Sequence, residues 1–69
     1  MGAVIRVNGE NRRLEVSTVL ELLQAEGVDP GRRGVAVALN GAVVRRDEWP
    51  AAALSSGDEV EIVKPFAGG

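Results

Sequence analysis

Hydrophobic and polar positions alternate in short runs along most of this chain, and the runs are broken by turn signals. Ala3-Val4-Ile5-Arg6-Val7 is β-rich, with Ile5 and Val7 on one face. Asn8-Gly9 follows, the strongest short hairpin signal. Arg12-Arg13-Leu14-Glu15-Val16 then alternates again, which turns Leu14 and Val16 inward and predicts an antiparallel hairpin over residues 3–16. The period changes at Ser17-Thr18. Val19, Leu22 and Leu23 recur at helical spacing, with Leu20 on the shoulder. Thr18 and Glu21 form a capping box: the hydroxyl accepts an orphan backbone N–H, and the carboxylate reaches back to the cap. Gly27 supplies a stop, so one short amphipathic helix is predicted over residues 18–26. Its leucine stripe reads as core.

Residues 28–34 are a loop by their Pro and Gly content. Val35-Ala36-Val37-Ala38-Leu39-Asn40 is the cleanest strand. Val35, Val37 and Leu39 face one way, and Ala36 and Ala38 leave a small-residue surface that a partner can approach. A second hairpin turn, Asn40-Gly41, leads into a short strand over residues 42–45. Residues 46–54 hold a single helical turn interrupted by Pro50, with Trp49 and Leu54 plugging one end of the core. Packing is the favoured reading of this Trp over ligand binding. The last strand spans residues 58–64 with Val60 and Ile62 inward. The predicted order is β-β-α-β-β-turn-β, an α+β arrangement.

Composition narrows the possible chemistry. Sixty-nine residues make one small domain, and 45% hydrophobic with 26% charged residues describes a folded, soluble chain. A net charge of −2 argues against a general nucleic-acid binder. There is no Cys and no His, which excludes disulfides, the usual zinc, copper and haem ligands, and Cys or His catalysis. No stretch is apolar and long enough to cross a bilayer as a helix, and the start does not read as a secretory signal. Six of the eight basic residues stand in Arg pairs, read as solvated positions rather than a docking patch.

The stretch that organises the rest is Lys64-Pro65-Phe66-Ala67-Gly68-Gly69. Pro65 biases Lys64 to an extended backbone. Ala67, Gly68 and Gly69 have almost no bulk, so this backbone fits a narrow channel. The expected division is a folded body over residues 1–64 and a flexible tail over residues 65–69. An α-carboxylate at Gly69, with an ordinary pKa of roughly 3.5, is a poor acyl donor until another molecule activates it. The chain has no base, metal site or phosphate-binding loop to do so, and no thiol to carry a persulfide. Phe66 has two open readings: it folds back onto the sheet, or it docks in a partner's groove.

Several residues in order resemble the thiamine-biosynthesis sulfur carriers, the ThiS family of small ubiquitin-like proteins. They are Thr18-Val19-x-Glu21-Leu22-Leu23, Asn40-Gly41 with Val44, Arg46-x-x-Trp49, and Leu54-x-x-Gly57-Asp58-x-Val60-Glu61-Ile62 running to Gly68-Gly69. Phe66 stands where many members carry a small or aliphatic residue. The resemblance implies a β-grasp fold, a mixed four- to five-stranded sheet on one helix, with the last strand central beside the first. It implies that the protein is a substrate and not an enzyme. A ubiquitin-activating-like adenylyltransferase uses ATP and Mg²⁺ to adenylate Gly69. A persulfide-bearing protein supplies sulfur, leaving a thiocarboxylate that thiazole synthase consumes. On the same resemblance Phe66, Ala67 and Gly68 are expected to enter the partners' active sites. No bound cofactor, metal, nucleic acid or membrane is expected, and the cytoplasm is the expected location. Three alternatives share the tail or the fold: a molybdopterin or other sister carrier, a lysine-conjugated modifier, and a β-grasp interaction module whose tail is irrelevant.

Overall fold

The computed structural model describes residues 2–65. Strand β1 (Ala3–Val7) and β2 (Glu10–Leu14) form the first hairpin, and helix α1 (Val19–Ala25) follows. Next come β3 (Ala36–Leu39), β4 (Ala42–Val44), a 3₁₀ turn (Arg46–Glu48) and β5 (Glu59–Val63). The five strands lie in the order β2-β1-β5-β3-β4. β1 and β5 are parallel and every other neighbouring pair is antiparallel. The last strand is therefore central and beside the first, as the resemblance implied. Ile5, Val7, Val37, Val60 and Ile62 on the sheet meet Val19, Leu22 and Leu23 of α1 in one buried core. Trp49 and Leu54 are buried with them. Trp49 also donates its indole N–H to the Val44 carbonyl at 3.0 Å, and the Arg46 guanidinium lies 4.7 Å over its ring.

Both hairpin turns follow from their residues. Asn8 and Gly9 have φ of 49° and 84°, and Asn40 and Gly41 have 50° and 85°. Two consecutive positive φ values define the primed turn that matches strand twist, and Asn-Gly tolerates them best. The first turn corrects the expected second strand. A two-residue loop after Val7 pairs Val7 with Glu10 and Ala3 with Leu14. β2 thus starts at Glu10 and ends at Leu14, where β1 offers no further partner. Glu15 and Val16 lie beyond the strand, although Val16 still packs against the core.

The helix boundaries agree with the cap signals. Thr18 accepts the Glu21 N–H at 3.2 Å. The Glu21 carboxylate reaches one residue further back than expected, accepting from the Ser17 N–H at 2.6 Å and the Ser17 hydroxyl at 2.9 Å. Those two bonds, the backbone one foremost, hold the Glu21 carboxyl below its ordinary pKa. At the other end, Gly27 takes φ of 75°. Val28 N–H reaches the Leu23 carbonyl at 2.9 Å and Gly27 N–H the Gln24 carbonyl at 3.1 Å, the paired bonds of a Schellman motif. That motif drives Val28 into the core, so the loop of residues 28–34 contributes a buried side chain.

Candidate functional site

The site expected from the sequence is Gly69 with Gly68, Ala67 and Phe66, all of which lie outside the described residues. What the structure describes is the root from which that stretch departs, and three devices hold it.

The first is the ladder to β3. Ala36 pairs with Val63 and Val37 with Ile62, so β5 stays hydrogen-bonded on this side to its last residue. The second is a seat for Pro65. Gly34 has φ of 87°, and a Cβ placed on it would lie 3.2 Å from the Pro65 Cβ. The missing side chain lets the Pro65 ring pack this closely against the Gly34 backbone. Lys64 and Pro65, with Gly27, Val28, Asp29, Arg32 and Val35, line a shallow cleft of about 250 Å³. The loop carrying Arg32 is tied down by Arg46, which donates to the Arg32 carbonyl at 2.8 Å and also to the Pro30 carbonyl.

The third device is the carboxamide of the turn residue Asn8; the other turn asparagine, Asn40, grips β5 at its opposite end, away from the root. At the strand's start, Asn40 Oδ1 accepts the Glu59 N–H at 2.9 Å, and its Nδ2 donates to Asp58 Oδ1 at 3.1 Å. Near the strand's end, Asn8 Oδ1 accepts the Ile62 N–H at 2.7 Å, and Nδ2 donates to the Ile62 carbonyl at 3.2 Å. Sequence reasoning took both asparagines only as turn formers. Their contacts lie 54 and 19 residues away along the chain, and no local pattern signals them.

The face of the sheet turned away from α1 is divided by charge. Strand registers place Ala36 beside Val63, and Ala38 between Glu61 and Val43, on this face. Val43 is 79% exposed and Val63 60% exposed, the two exposed large hydrophobics among the described residues. Next to them Arg6 pairs with Glu59 at 3.6 Å. The small-residue surface expected from Ala36 and Ala38 is therefore present, and it adjoins the root. Among the described residues no cluster of acidic side chains could hold a metal, and no helix is long and apolar enough to cross a membrane.

The model of the ThiS family matches residues 5–69, which takes in all the elements above except the first two residues of β1, and includes the Gly-Gly at its end. The chain belongs to the ThiS family. A relative, the sulfur carrier protein ThiS of Thermus thermophilus, is 41% identical over 66 residues, which span 96% of this chain and all of the relative. The fold is similar to that of the ThiS thiamine-biosynthesis protein of Geobacter metallireducens. Its crystal structure has a TM-score of 0.77 at 33% identity, covering 96% of this chain and 99% of that one. Its solution structure has a TM-score of 0.77 at 32% identity, covering 96% of this chain and 87% of that one. The β-grasp architecture expected of a ThiS protein is the one observed, with five strands on one helix.

Proposed function

We propose that this protein, a ThiS-family sulfur carrier of thiamine biosynthesis, works through the α-carboxylate of Gly69. It is a carrier and not an enzyme. The observation that supports the reading is the family match running through Gly69, combined with a fold whose last strand is central and ends at Val63, six residues before Gly69.

The chemistry follows from the carboxylate. Its negative charge repels a sulfur nucleophile and it offers no leaving group, so it must first be activated. An adenylyltransferase joins it to the α-phosphate of ATP, with Mg²⁺ on the phosphates, and releases pyrophosphate. The terminal sulfur of a protein persulfide then attacks the acyl carbon and displaces AMP. A thiol cleaves the resulting acyl disulfide, supplying two electrons and leaving the thiocarboxylate. Thiazole synthase takes that sulfur. In each step Phe66, Ala67, Gly68 and Gly69 pass into the partner's site, and the low bulk of the final three suits a narrow channel. ATP and Mg²⁺ belong to the activating enzyme. The apolar strip of Ala36, Ala38, Val43 and Val63, beside Glu59 and Glu61, is the surface on which such partners dock.

The test is to incubate the protein with its cognate adenylyltransferase, ATP, Mg²⁺ and a sulfur source, and to weigh the terminal peptide. The expected product is heavier by the difference between sulfur and oxygen. Removing Gly69 abolishes the change, because the new carboxylate stands one residue short of the reacting centre. An unchanged mass with a competent enzyme would refute the reading.

A further inference from the structure

We infer that Asn8 is a positioning residue for the sulfur-transfer reaction, fixing the direction in which the chain leaves β5 on its way to Gly69. The inference rests on the carrier reading above. Its ground is the way β1 and β5 part company. Their parallel register reaches only Val7 and Val60, because the chain turns away at Asn8-Gly9. The Asn8 N–H still bonds the Val60 carbonyl at 2.9 Å. The next rung needs an acceptor for the Ile62 N–H and a donor for its carbonyl, and the backbone of β1 has left. A side-chain carboxamide carries the same donor and acceptor as a peptide group. Asn8 supplies both to Ile62, at 2.7 and 3.2 Å, and so adds one rung beyond the end of β1.

That rung is the last hold on the β1 side of β5 before the chain departs. Ile62 is three residues from Pro65, and on the other side the ladder to β3 ends at Val63. With Asn8 in place, β5 is gripped on both edges up to the residue before it leaves the sheet. Without it, Val63 and Lys64 hang from one edge and swing about the Ala36 pairing. A partner that threads the stretch beyond Pro65 into a channel then meets a wider spread of approach directions, and fewer encounters are productive.

The structure supplies an internal control. Asn40 occupies the same turn position with nearly the same φ and also bonds β5 through its carboxamide, but at Glu59, the strand's far end. Asn8→Gly and Asn40→Gly each keep the positive-φ turn, because Gly accepts it, and each removes one clamp. The comparison uses the full chain with its cognate adenylyltransferase.

In Asn8→Gly the Ile62 amide exchanges with solvent about tenfold faster, the factor expected when roughly one net hydrogen bond is lost. Relaxation of the Val63 and Lys64 amides reports increased motion. The KM for the carrier in adenylation rises about three- to tenfold while kcat is unchanged, since a correctly inserted carboxylate reacts as before. Asn40→Gly loses comparable thermal stability but leaves the Val63 and Lys64 amides and the KM at their wild-type values. Asn8→Asp keeps the acceptor but sets a second acceptor against the Ile62 carbonyl, so it raises the KM at least as much as Asn8→Gly does. Equal KM changes in Asn8→Gly and Asn40→Gly would reduce Asn8 to general stability and overturn the inference. So would unchanged Val63 and Lys64 amides in Asn8→Gly. Failure of the wild type to be charged at all would refute the carrier reading instead, and the clamp would still be judged on its amides.

Discussion

Replacing Gly34 by Ala tests whether the seat of Pro65 is a real contact, and its cost can be worked from the structure. Two terms contribute. Gly34 sits at φ of 87°, where an L side chain costs about 1–2 kcal/mol. The added Cβ would also lie 3.2 Å from the Pro65 Cβ, 3.5 Å from its Cγ and 3.6 Å from its Cδ. Carbon atoms prefer about 3.5–4.0 Å, so the nearest contact must open by a few tenths of an ångström. Pro65 is a rigid ring and cannot turn a rotamer aside, so the backbone at residues 64–65 moves. That crowding adds about 1 kcal/mol, the low end for overpacking, because the site lies at the surface.

Gly41→Ala isolates the first term. Gly41 has φ of 85°, and a Cβ built there meets nothing within 4 Å. The expected costs are therefore about 2–3 kcal/mol for Gly34→Ala and about 1–2 kcal/mol for Gly41→Ala. A chain of this length has about 3–10 kcal/mol of stability, so through most of that range both proteins remain folded in the absence of urea. Urea unfolding followed by fluorescence reads the difference cleanly, because buried Trp49 is the one Trp and there is no Tyr. In heat, 1 kcal/mol corresponds to about 4–8 °C in a domain of this size. Equal midpoints for the two variants, with amide shifts at Lys64 unmoved in Gly34→Ala, would refute the seat.

Three further perturbations probe the body. Leu22 is fully buried on the inner face of α1, and Leu22→Ala should cost about 2–5 kcal/mol in urea unfolding by opening a cavity. Arg12 donates to Glu26 at 2.8 Å, Glu26 is 15% exposed, and its second oxygen Oε2 is buried with no partner. Arg12→Ala strands a largely enclosed carboxylate and should cost about 1–3 kcal/mol by the same measurement, with Arg12→Ala/Glu26→Gln recovering part of the loss. Glu21 has a folded pKa below its ordinary 4.5, so its stabilising contribution is complete above that value and is lost as pH falls through the folded one. The stability difference between wild type and Glu21→Gln should accordingly shrink as pH drops below about 4.5, and a constant difference across that window would rule out the carboxylate bonds to Ser17.

Much of this fold is legible in the sequence because its signals are local. Asn8-Gly9 and Asn40-Gly41 specify their turns by φ alone, and Thr18, Glu21 and Gly27 specify both ends of α1. The alternation in residues 58–63 places Val60 and Ile62 inward correctly. The one displaced element, β2, shows where local reading runs out. The alternation of residues 12–16 fixes which side chains turn inward but not where pairing begins. The two-residue turn decides that by setting Glu10 opposite Val7. Val28 was hidden for a related reason: its burial depends on the bond its amide makes to Leu23, not on any periodicity.

The root of the Gly-Gly stretch was illegible for a deeper cause. Every group that holds it comes from another part of the chain: Asn8 from the first turn, Gly34 from the long loop, Ala36 from β3. Each of these residues already has a sufficient local explanation, as a turn former, a loop glycine and a strand residue. A second role therefore leaves no surplus in the pattern. The arrangement nevertheless follows from topology. A β-grasp sheet puts its last strand in the centre, so that strand leaves between two hairpins whose turns flank its opposite ends. Asparagine suits both tasks at once, since it accepts positive φ and carries a peptide-like carboxamide. Aspartate would keep the turn and lose the donor, and glycine would keep the turn and lose the clamp. The choice of Asn at position 8 is thus a statement about Ile62 as much as about the turn.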